Sequence, residues 1–347
     1  MNPDITHLLN AATEKIGCKG ALAAISINGV VSTFSAGSIK SADHDRSFYI
    51  YSITKIFIAA AVLKICETHG DFLDAPLHRF IPDAPVPSGI TIRHLLNHTG
   101  GVSDYFSSRE YQEAVANHPA EPWSPEKLMA VGLTETPLFE PGHGWSYSNP
   151  GYGFLKTVIE SVSRKNFHDF LQEEILAGLE LRDTRPFLAP DRERKLLEGE
   201  TPGFAGDFRE LYHPGWIMTG CLISTVSDIA RFLDALFAGK IISRDSLEKM
   251  METVDVLKTP PISSIPAYGL GLMHFREHPL GDAYGHGGGG PGYTTYAMHY
   301  PDLDGASFTL SLVMNKSLPQ TPFDLADKIA RFYLDYAERW PLYTQPV

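Results

Sequence analysis

The chain has few cysteines, no long apolar run and a shortage of positive charge. Its 347 residues include three cysteines, Cys18, Cys66 and Cys221, and none stands in a Cys-x-x-Cys pair. An odd, scattered set is neither a disulfide framework nor a zinc pattern, so we expect buried, unreactive thiols. The sequence shows no basic, apolar leader and no bilayer-length run. It therefore predicts a soluble cytoplasmic protein, or a periplasmic one if a leader has been removed.

Negative charge exceeds positive charge by a wide margin. There are 41 aspartates and glutamates against 29 lysines and arginines, which gives a formal net charge of −12. A surface this acidic repels nucleic-acid phosphates and anionic lipid. We therefore expect a small-molecule partner and no nucleic-acid or membrane partner, while the oligomeric state stays open.

Several common catalytic signatures are also missing. No serine lies in a Gly-x-Ser-x-Gly elbow, and the chain has neither a His-Glu-x-x-His motif nor a Walker A loop. A formal Gly-x-Gly-x-x-Gly runs from Gly285 to Gly290. Pro291 and an alternating strand follow it, where a dinucleotide site requires a helix. The sequence thus predicts no metal and no cofactor.

Strand patterns lie at both ends of the chain, with helical patterns between them. Strands are predicted at residues 21–30, 31–39, 268–275, 293–300 and 308–314, the first two around a turn at Asn28-Gly29. Helices are predicted near both termini, at residues 53–67 and at 216–238. We expect an α+β protein in which an antiparallel sheet flanked by helices, residues 1–70 and 216–347, is interrupted by an all-helical domain, residues 71–215. The active site would lie at their interface.

The tetrapeptide Ser-x-x-Lys occurs three times. Ser124 precedes Pro125, the pattern of a helix N-cap, and Ser246 lies in a charged run expected to face solvent. Ser52 instead opens an apolar helix, with Lys55 one turn further on the same face. A serine hydroxyl needs such a neighbouring base to become a nucleophile, and a helix N-terminus favours developing negative charge. The alternative is an N-cap serine beside a lysine whose stem reaches towards solvent.

Two more short motifs carry polar groups into loops. Tyr147-Ser148-Asn149 lies in a glycine- and proline-rich loop before a helix, where a turn and a cap would suffice to explain it. His286 opens a glycine run beside a predicted strand edge. Bare glycines at such an edge let a substrate approach the backbone closely.

Together these motifs resemble one family. They follow one another along the chain as Ser52-x-x-Lys55, Tyr147-x-Asn149 and His286-Gly287-Gly288. This order resembles the serine β-lactamase and penicillin-binding-protein superfamily, above all its class C β-lactamase and D-alanyl-D-alanine carboxypeptidase branch. The stretches ITIRHLLNHTGGVSDY, PGHGWSYSNPGYG and GWIMTGCLISTVSDIARF support the likeness. The resemblance implies the β-lactamase/transpeptidase-like fold, and the branch also holds esterases, D-aminopeptidases and acyltransferases.

The resemblance implies a serine hydrolase that works through an acyl-enzyme. Ser52 would be the nucleophile, activated by Lys55 and Tyr147, and which of these two is the base stays open. Asn149 would hold Lys55 and the substrate amide. His286 would hydrogen-bond the tyrosine or the substrate.

The glycine run is expected to contribute backbone groups. By the same resemblance, the N–H groups of Ser52 and Gly289 would form an oxyanion hole, with Gly288 beside them in the substrate-binding strand. Such a donor is typically worth about 3 kcal/mol of transition-state stabilisation. This role requires the strand to lie against the Ser52 turn.

The chain departs from β-lactamases at one motif. They carry Lys-Thr-Gly where this chain has His286-Gly287-Gly288, which lacks the hydroxyl and the permanent cation that bind a substrate carboxylate. Arg276, on the preceding strand, is the candidate to supply that charge. We therefore expect a small ester, amide or D-amino-acid peptide as substrate. The alternatives are an acyltransferase that uses the same acyl-enzyme and a non-catalytic penicillin-binding or sensor module.

Overall fold

The computed structural model describes residues 3–133, 136–191, 195–204, 206–219, 222–256, 265–319 and 322–339. Its central element is an antiparallel sheet. In order across the sheet, the strands are β2 (Val30–Gly37), β1 (Gly20–Ile27), β11 (Ala306–Met314), β10 (Tyr293–Leu303), β9 (Ala283–Gly290), β8 (Met273–Arg276), β7 (Ile265–Tyr268) and β6 (Val254–Asp255). A small second sheet joins β3 (Phe48–Tyr49), β5 (Leu222–Ser224) and β4 (Arg185–Pro186).

The hairpin at the start of the chain forms as predicted. Ile27 pairs with Val30 across a two-residue turn. Asn28 and Gly29 in that turn both have positive φ, 49° and 85°. Asn-Gly favours this conformation because its twist matches that of the paired strands.

Two strand predictions need correction. The run predicted as one strand at residues 268–275 is two strands, β7 and β8, because the chain turns through Gly269 to Leu272 and pairs with itself. The glycine run itself is strand β9, which the sequence pattern missed. Glycine is a poor strand former, but pairing with β10 over seven residue pairs, from Tyr284 to Gly290 on the β9 side, holds the run extended.

Helices cover both faces of the sheet. Their bounds are α1 (Pro3–Ile16), α2 (Thr54–His69), α3 (Ile92–Leu96), α4 (Arg109–Asn117), α5 (Pro125–Gly132), α6 (Asn149–Ser163), α7 (Phe167–Phe170) with a π-helical continuation (Leu171–Leu176), α8 (Phe208–Leu211), α9 (Val226–Phe237), α10 (Arg244–Met251) and α11 (Phe323–Arg339). Side chains of β1 alternate between the faces, so Leu22 packs in the core shared with α2 and α9. Ile25 packs in the core shared with α1 and α11. The expected α+β class is confirmed.

The helix predicted at residues 216–238 begins later than expected. Thr225 caps it by accepting a hydrogen bond from the backbone of Asp228 at 3.1 Å, so α9 starts at Val226. The residues just before it form β5, which pairs on one side with β3 and on the other with Arg185–Pro186. The stretch predicted to be all helical therefore also contributes a strand.

The other Ser-x-x-Lys motifs have structural explanations. Ser124 is the N-cap of α5, accepting from the backbone of Lys127 at 3.3 Å, as predicted. Ser246 does not face solvent as expected: it is 7% exposed and hydrogen-bonds the hydroxyl of Ser243, the cap of α10.

Cys18 and Cys66 are buried and free, and burial raises the pKa of both thiols, as an unreactive role requires. Cys221 lies outside the described residues. In the part of the chain that the structure covers, no helix is long and apolar enough to cross a bilayer. The cytoplasmic location stays a prediction.

Candidate active site

Ser52 lies in a tight turn that leads directly into α2. The turn spans Tyr51–Ile53, and Tyr51 adopts the left-handed conformation with φ 50°. That conformation costs a non-glycine residue on the order of 1 kcal/mol. The Tyr51 hydroxyl donates to the carbonyl of Pro291, and its ring packs against Gly290. These contacts fix the turn against the end of β9 and place Ser52 in the cleft wall.

Lys55 lies one helical turn below Ser52 and is fully buried. Its Nζ is 3.4 Å from Ser52 Oγ and 2.8 Å from Asn149 Oδ1, and it lies 4.7 Å from the ring centroid of Tyr147. Burial lowers the pKa of Lys55 to about 7, while the nearby carboxylate of Asp104 opposes that change. In a substantial fraction of the molecules, the Lys55 amine is therefore neutral at neutral pH.

Tyr147 approaches Ser52 from the loop that precedes α6. Its phenol hydrogen-bonds the Ser52 side chain, and burial raises its pKa well above the ordinary value of 10. The next residue, Ser148, caps α6 by accepting from Gly151 at 3.1 Å, which fixes the loop to the helix. The phenol therefore stays protonated at neutral pH.

Asn149 connects Lys55 to a carboxylate that sequence reasoning missed. While its Oδ1 accepts from Lys55, its Nδ2 donates to both oxygens of Asp104, at 3.3 and 3.0 Å. Burial raises the pKa of Asp104, and hydrogen bonds from Phe106 and Asn149 oppose this. Asp104 falls within the stretch ITIRHLLNHTGGVSDY, which supports the family resemblance. No motif of its own marked Asp104 as a site residue.

His286 has a different partner from the one expected. Its Nε2 accepts from the Tyr268 hydroxyl at 2.9 Å and its Nδ1–H donates to the carbonyl of Gly287, while the Tyr147 ring centroid is 6.1 Å away. Burial, with a contribution from Lys55, lowers the pKa of His286 to about 3. The imidazole is therefore neutral, 1% exposed and bonded at both nitrogens. Of the two predicted partners, Tyr147 is not the one that His286 bonds, and its contact with a substrate stays a prediction.

Arg276 does not supply a cation to the cleft. Its guanidinium pairs with the carboxylate of Asp255, and its strand pairs at that point with Ile265. Among the residues that the structure describes, those lining the cleft beside Ser52 include no lysine or arginine. Within the described residues, Lys55 is the cation that contacts Ser52.

The glycines of β9 lie where the cleft meets the sheet. β8 begins opposite Gly285, so residues 286–290 continue past it. At Gly288 a Cβ would lie 2.5 Å from the carbonyl oxygen of Ile50 and 3.2 Å from the nitrogen of Ser52, so only glycine allows this approach. At Gly289 a Cβ would meet nothing within 4 Å. One glycine makes room for the Ser52 turn, and the next faces open space.

Aromatic side chains make up much of the rest of the described cleft wall. A cavity of about 50 Å³ is bordered by Ser52, Asn149 and Gly289. Six aromatic side chains share this wall: Tyr51, Tyr105, Phe106, Tyr111, Tyr212 and Trp216. The space beside the serine therefore favours a small or flat apolar group.

An antiparallel sheet flanked by helices, with a serine and a lysine at the start of a buried helix, is the arrangement expected of a serine hydrolase of the β-lactamase type. The chain belongs to the beta-lactamase family, which matches residues 5–334. The predicted resemblance is confirmed.

Three similar proteins add detail. Penicillin-binding protein 4* of Bacillus subtilis is 30% identical over 273 residues, 74% of this chain and 58% of that relative. A D-stereospecific amidohydrolase from Streptomyces has a TM-score of 0.79 at 28% identity and covers 91% of this chain and 95% of its own. The D-amino acid amidase from Ochrobactrum anthropi, complexed with L-phenylalanine, has a TM-score of 0.81 at 25% identity, covering 97% and 98%. The chain thus spans less than two thirds of this penicillin-binding protein's length.

Proposed function

We propose that the chain is a serine hydrolase that forms an acyl-enzyme at Ser52 with small amides, esters or peptides of D-amino acids. The observation that carries this proposal is the convergence of Ser52 Oγ, Lys55 Nζ and the Tyr147 phenol around one point. Such groups, held within hydrogen-bond reach, are what activation of a serine nucleophile requires.

The pKa directions favour Lys55 as the base. Its pKa of about 7 makes it a proton acceptor near neutral pH, whereas Tyr147 holds its proton. Lys55 would take the proton from Ser52 as Oγ bonds to the substrate carbonyl carbon. The proton would then reach the leaving amine or alcohol, through Tyr147, as its bond to carbon breaks. Water would release the acid by the reverse route and restore Ser52.

The glycine edge is the proposed anion-stabilising element. Gly288 brings β9 within contact distance of the Ser52 backbone nitrogen, and Gly289 faces open space beside it. A carbonyl placed between the Ser52 and Gly289 N–H groups would be stabilised as it gains negative charge. This geometry supports the predicted oxyanion hole.

The substrate class follows from charge and shape. The described part of the cleft lining offers aromatic rings and no cation, so a substrate without a free carboxylate is favoured over a penicillin or a peptide ending in D-Ala-D-Ala. Two similar structures are a D-stereospecific amidohydrolase and a D-amino acid amidase. We therefore place amides of apolar D-amino acids first, with esters of the same acids next.

The experiment compares three serines with the same motif. Ser52→Ala should abolish covalent labelling by a fluorophosphonate probe and hydrolysis of D-phenylalanine amide. Ser124→Ala and Ser246→Ala are the controls and should keep both activities, because those serines cap or support helices. Full labelling of the Ser52 variant would refute the nucleophile.

Substrate choice needs its own panel. The panel contains D- and L-phenylalanine amide, a p-nitrophenyl ester and a chromogenic cephalosporin. They should be turned over in the order D-amide, ester, L-amide, cephalosporin. Turnover of the cephalosporin ahead of the amides would overturn the proposed substrate class. Added amines and alcohols would reveal acyl transfer as a new product.

A further inference from the structure

His98 lies beside the site and hydrogen-bonds the backbone around Tyr147. It makes no hydrogen bond to Ser52 or Lys55. It follows α3 and has a left-handed backbone with φ 63°. Its carbonyl accepts from the backbone of Ser146 at 3.0 Å, and its Nδ1 accepts from the backbone of Ser148 at 3.1 Å. These two hydrogen bonds hold the backbone in place on either side of Tyr147.

The imidazole ring also contacts the Tyr147 side chain itself. Its centroid is 4.4 Å from that of Tyr147, and the rings of Tyr152, Tyr268 and Trp145 complete the surroundings. His98 is 2% exposed, so this packing excludes water from one side of the phenol. Tyr147 is thus held through its main chain and its ring by one residue.

The ring serves this purpose only in one protonation state. Since Ser148 N–H is the donor, Nδ1 must carry a lone pair, which the neutral tautomer with hydrogen on Nε2 provides. Burial, with Lys55 and His286 adding to it, holds the pKa of His98 well below its ordinary value. Nε2 is buried and has no hydrogen-bond partner among the described residues. An unpaired buried donor normally destabilises a fold, so its retention calls for a reason at the other nitrogen.

We propose that His98 is a positioning residue for Tyr147, which fixes the phenol against Ser52 by bonding the backbone on both sides and packing on the ring. The inference rests on the proposed hydrolase function, in which Tyr147 passes a proton. A displacement of about 1 Å in such a group costs roughly 100-fold in rate.

Two substitutions separate the roles of the ring. In His98→Asn, a side-chain oxygen replaces Nδ1 as acceptor, and asparagine readily adopts a left-handed backbone. In His98→Leu the acceptor is lost while bulk is kept. We expect His98→Leu to lower the acylation rate constant roughly 30- to 100-fold with KM within about twofold, and His98→Asn to stay within about fivefold of the parent.

A double-mutant cycle asks whether the effect passes through Tyr147. In a Tyr147→Phe background the ring has no hydroxyl proton to transfer, so His98→Leu should cost less than about threefold further. Equal losses in both backgrounds would show a general structural role and overturn the proposal, as would a parental rate in folded His98→Leu. His299→Asn is the control, because His299 is a buried histidine bonded to Thr309 and stacked on Phe237, away from Tyr147.

Hydrogen exchange tests, without any substrate, whether His98 holds the backbone on either side of Tyr147. We call this pair of hydrogen bonds the His98 clamp. Measured by mass spectrometry, exchange in the segment from Trp145 to Asn149 should speed up in His98→Leu and stay near the parental rate in His98→Asn, with α2 unchanged in both. Unchanged exchange in His98→Leu would refute the clamp. A parent that no acyl probe labels, yet shows this exchange pattern, would instead refute the hydrolase function and leave the clamp standing.

Discussion

Lys55 connects catalysis to pH in a way that can be measured directly. Burial lowers its pKa from an ordinary 10.5 to about 7. At about 1.4 kcal/mol per pH unit, this corresponds to roughly 5 kcal/mol of disfavoured charge in the fully buried site. If neutral Lys55 is the base, the rate of acylation follows the fraction of enzyme in which this amine has lost its proton.

The expected change in rate follows from that pKa. About one tenth of Lys55 is neutral at pH 6 and about nine tenths at pH 8, so acylation should rise roughly tenfold across this interval and level off above it. The assay is the second-order rate of labelling by a fluorophosphonate probe, corrected for its spontaneous hydrolysis, because this rate reports the free enzyme. A flat profile between pH 6 and 8, or a rise only above pH 9, would refute the assignment.

Removing the charge of Asp104 should shift the midpoint of this pH profile in a known direction. Its carboxylate raises the pKa of Lys55, so Asp104→Asn should move the midpoint of the profile to lower pH. The control is Asp74→Asn, which removes an exposed carboxylate paired with Arg93 and should leave the midpoint in place. A midpoint that moves upward in Asp104→Asn would contradict the electrostatic reasoning.

The same amine couples folding to pH without any substrate. The unfolded chain binds a proton at Lys55 below about pH 10.5 and the folded chain only below about 7. The stability that this group contributes is therefore present above the unfolded pKa and is lost as the pH falls towards 7. Relative to Lys55→Met, the free energy of unfolding of the parent should rise by about 2.5 kcal/mol between pH 7.5 and 9.5 in urea titrations. A constant difference would mean that the folded pKa is not lowered.

Two further predictions concern β9. Gly288→Ala should lower labelling of Ser52 at least about tenfold, since its Cβ would lie 2.5 Å from the Ile50 oxygen, whereas Gly289→Ala meets nothing within 4 Å and should stay within a few-fold. Equal loss in both would contradict this packing. His286 has a folded pKa of about 3 against an ordinary 6.5, so its stabilisation is present above pH 6.5 and lost as the pH falls towards 3. Relative to His286→Gln, the parent should lose about 2.3 kcal/mol of unfolding free energy between pH 6.5 and 4.5, and no relative loss would show that the pKa of His286 is not lowered in the folded protein.

Local sequence patterns were enough for some of these features. The spacing of Ser52 and Lys55 implies one helical face, and the structure shows them 3.4 Å apart at the start of α2. Nothing local connects that pair to Tyr147, about 90 residues later. The order of motifs shared with a known family supplied that link, and the family match supports it.

Other features depend on tertiary contacts that no local pattern encodes. Strand β9 was missed because its glycines have low strand propensity, and its conformation comes from pairing with β10. The partner of His286 is Tyr268, on a strand that was itself misjudged as part of a longer one. Asp104 had no motif of its own, since its role depends on Asn149 reaching it from another segment.

A sheet border made of bare glycine is usually a hazard, because exposed main-chain groups invite pairing with a second molecule. Here the border past Gly285 is approached by the Tyr51–Ile53 turn, and the Gly290 backbone lies under the Tyr51 ring. The same contacts that place the serine therefore also cover part of a strand edge that would otherwise offer unpaired main-chain groups.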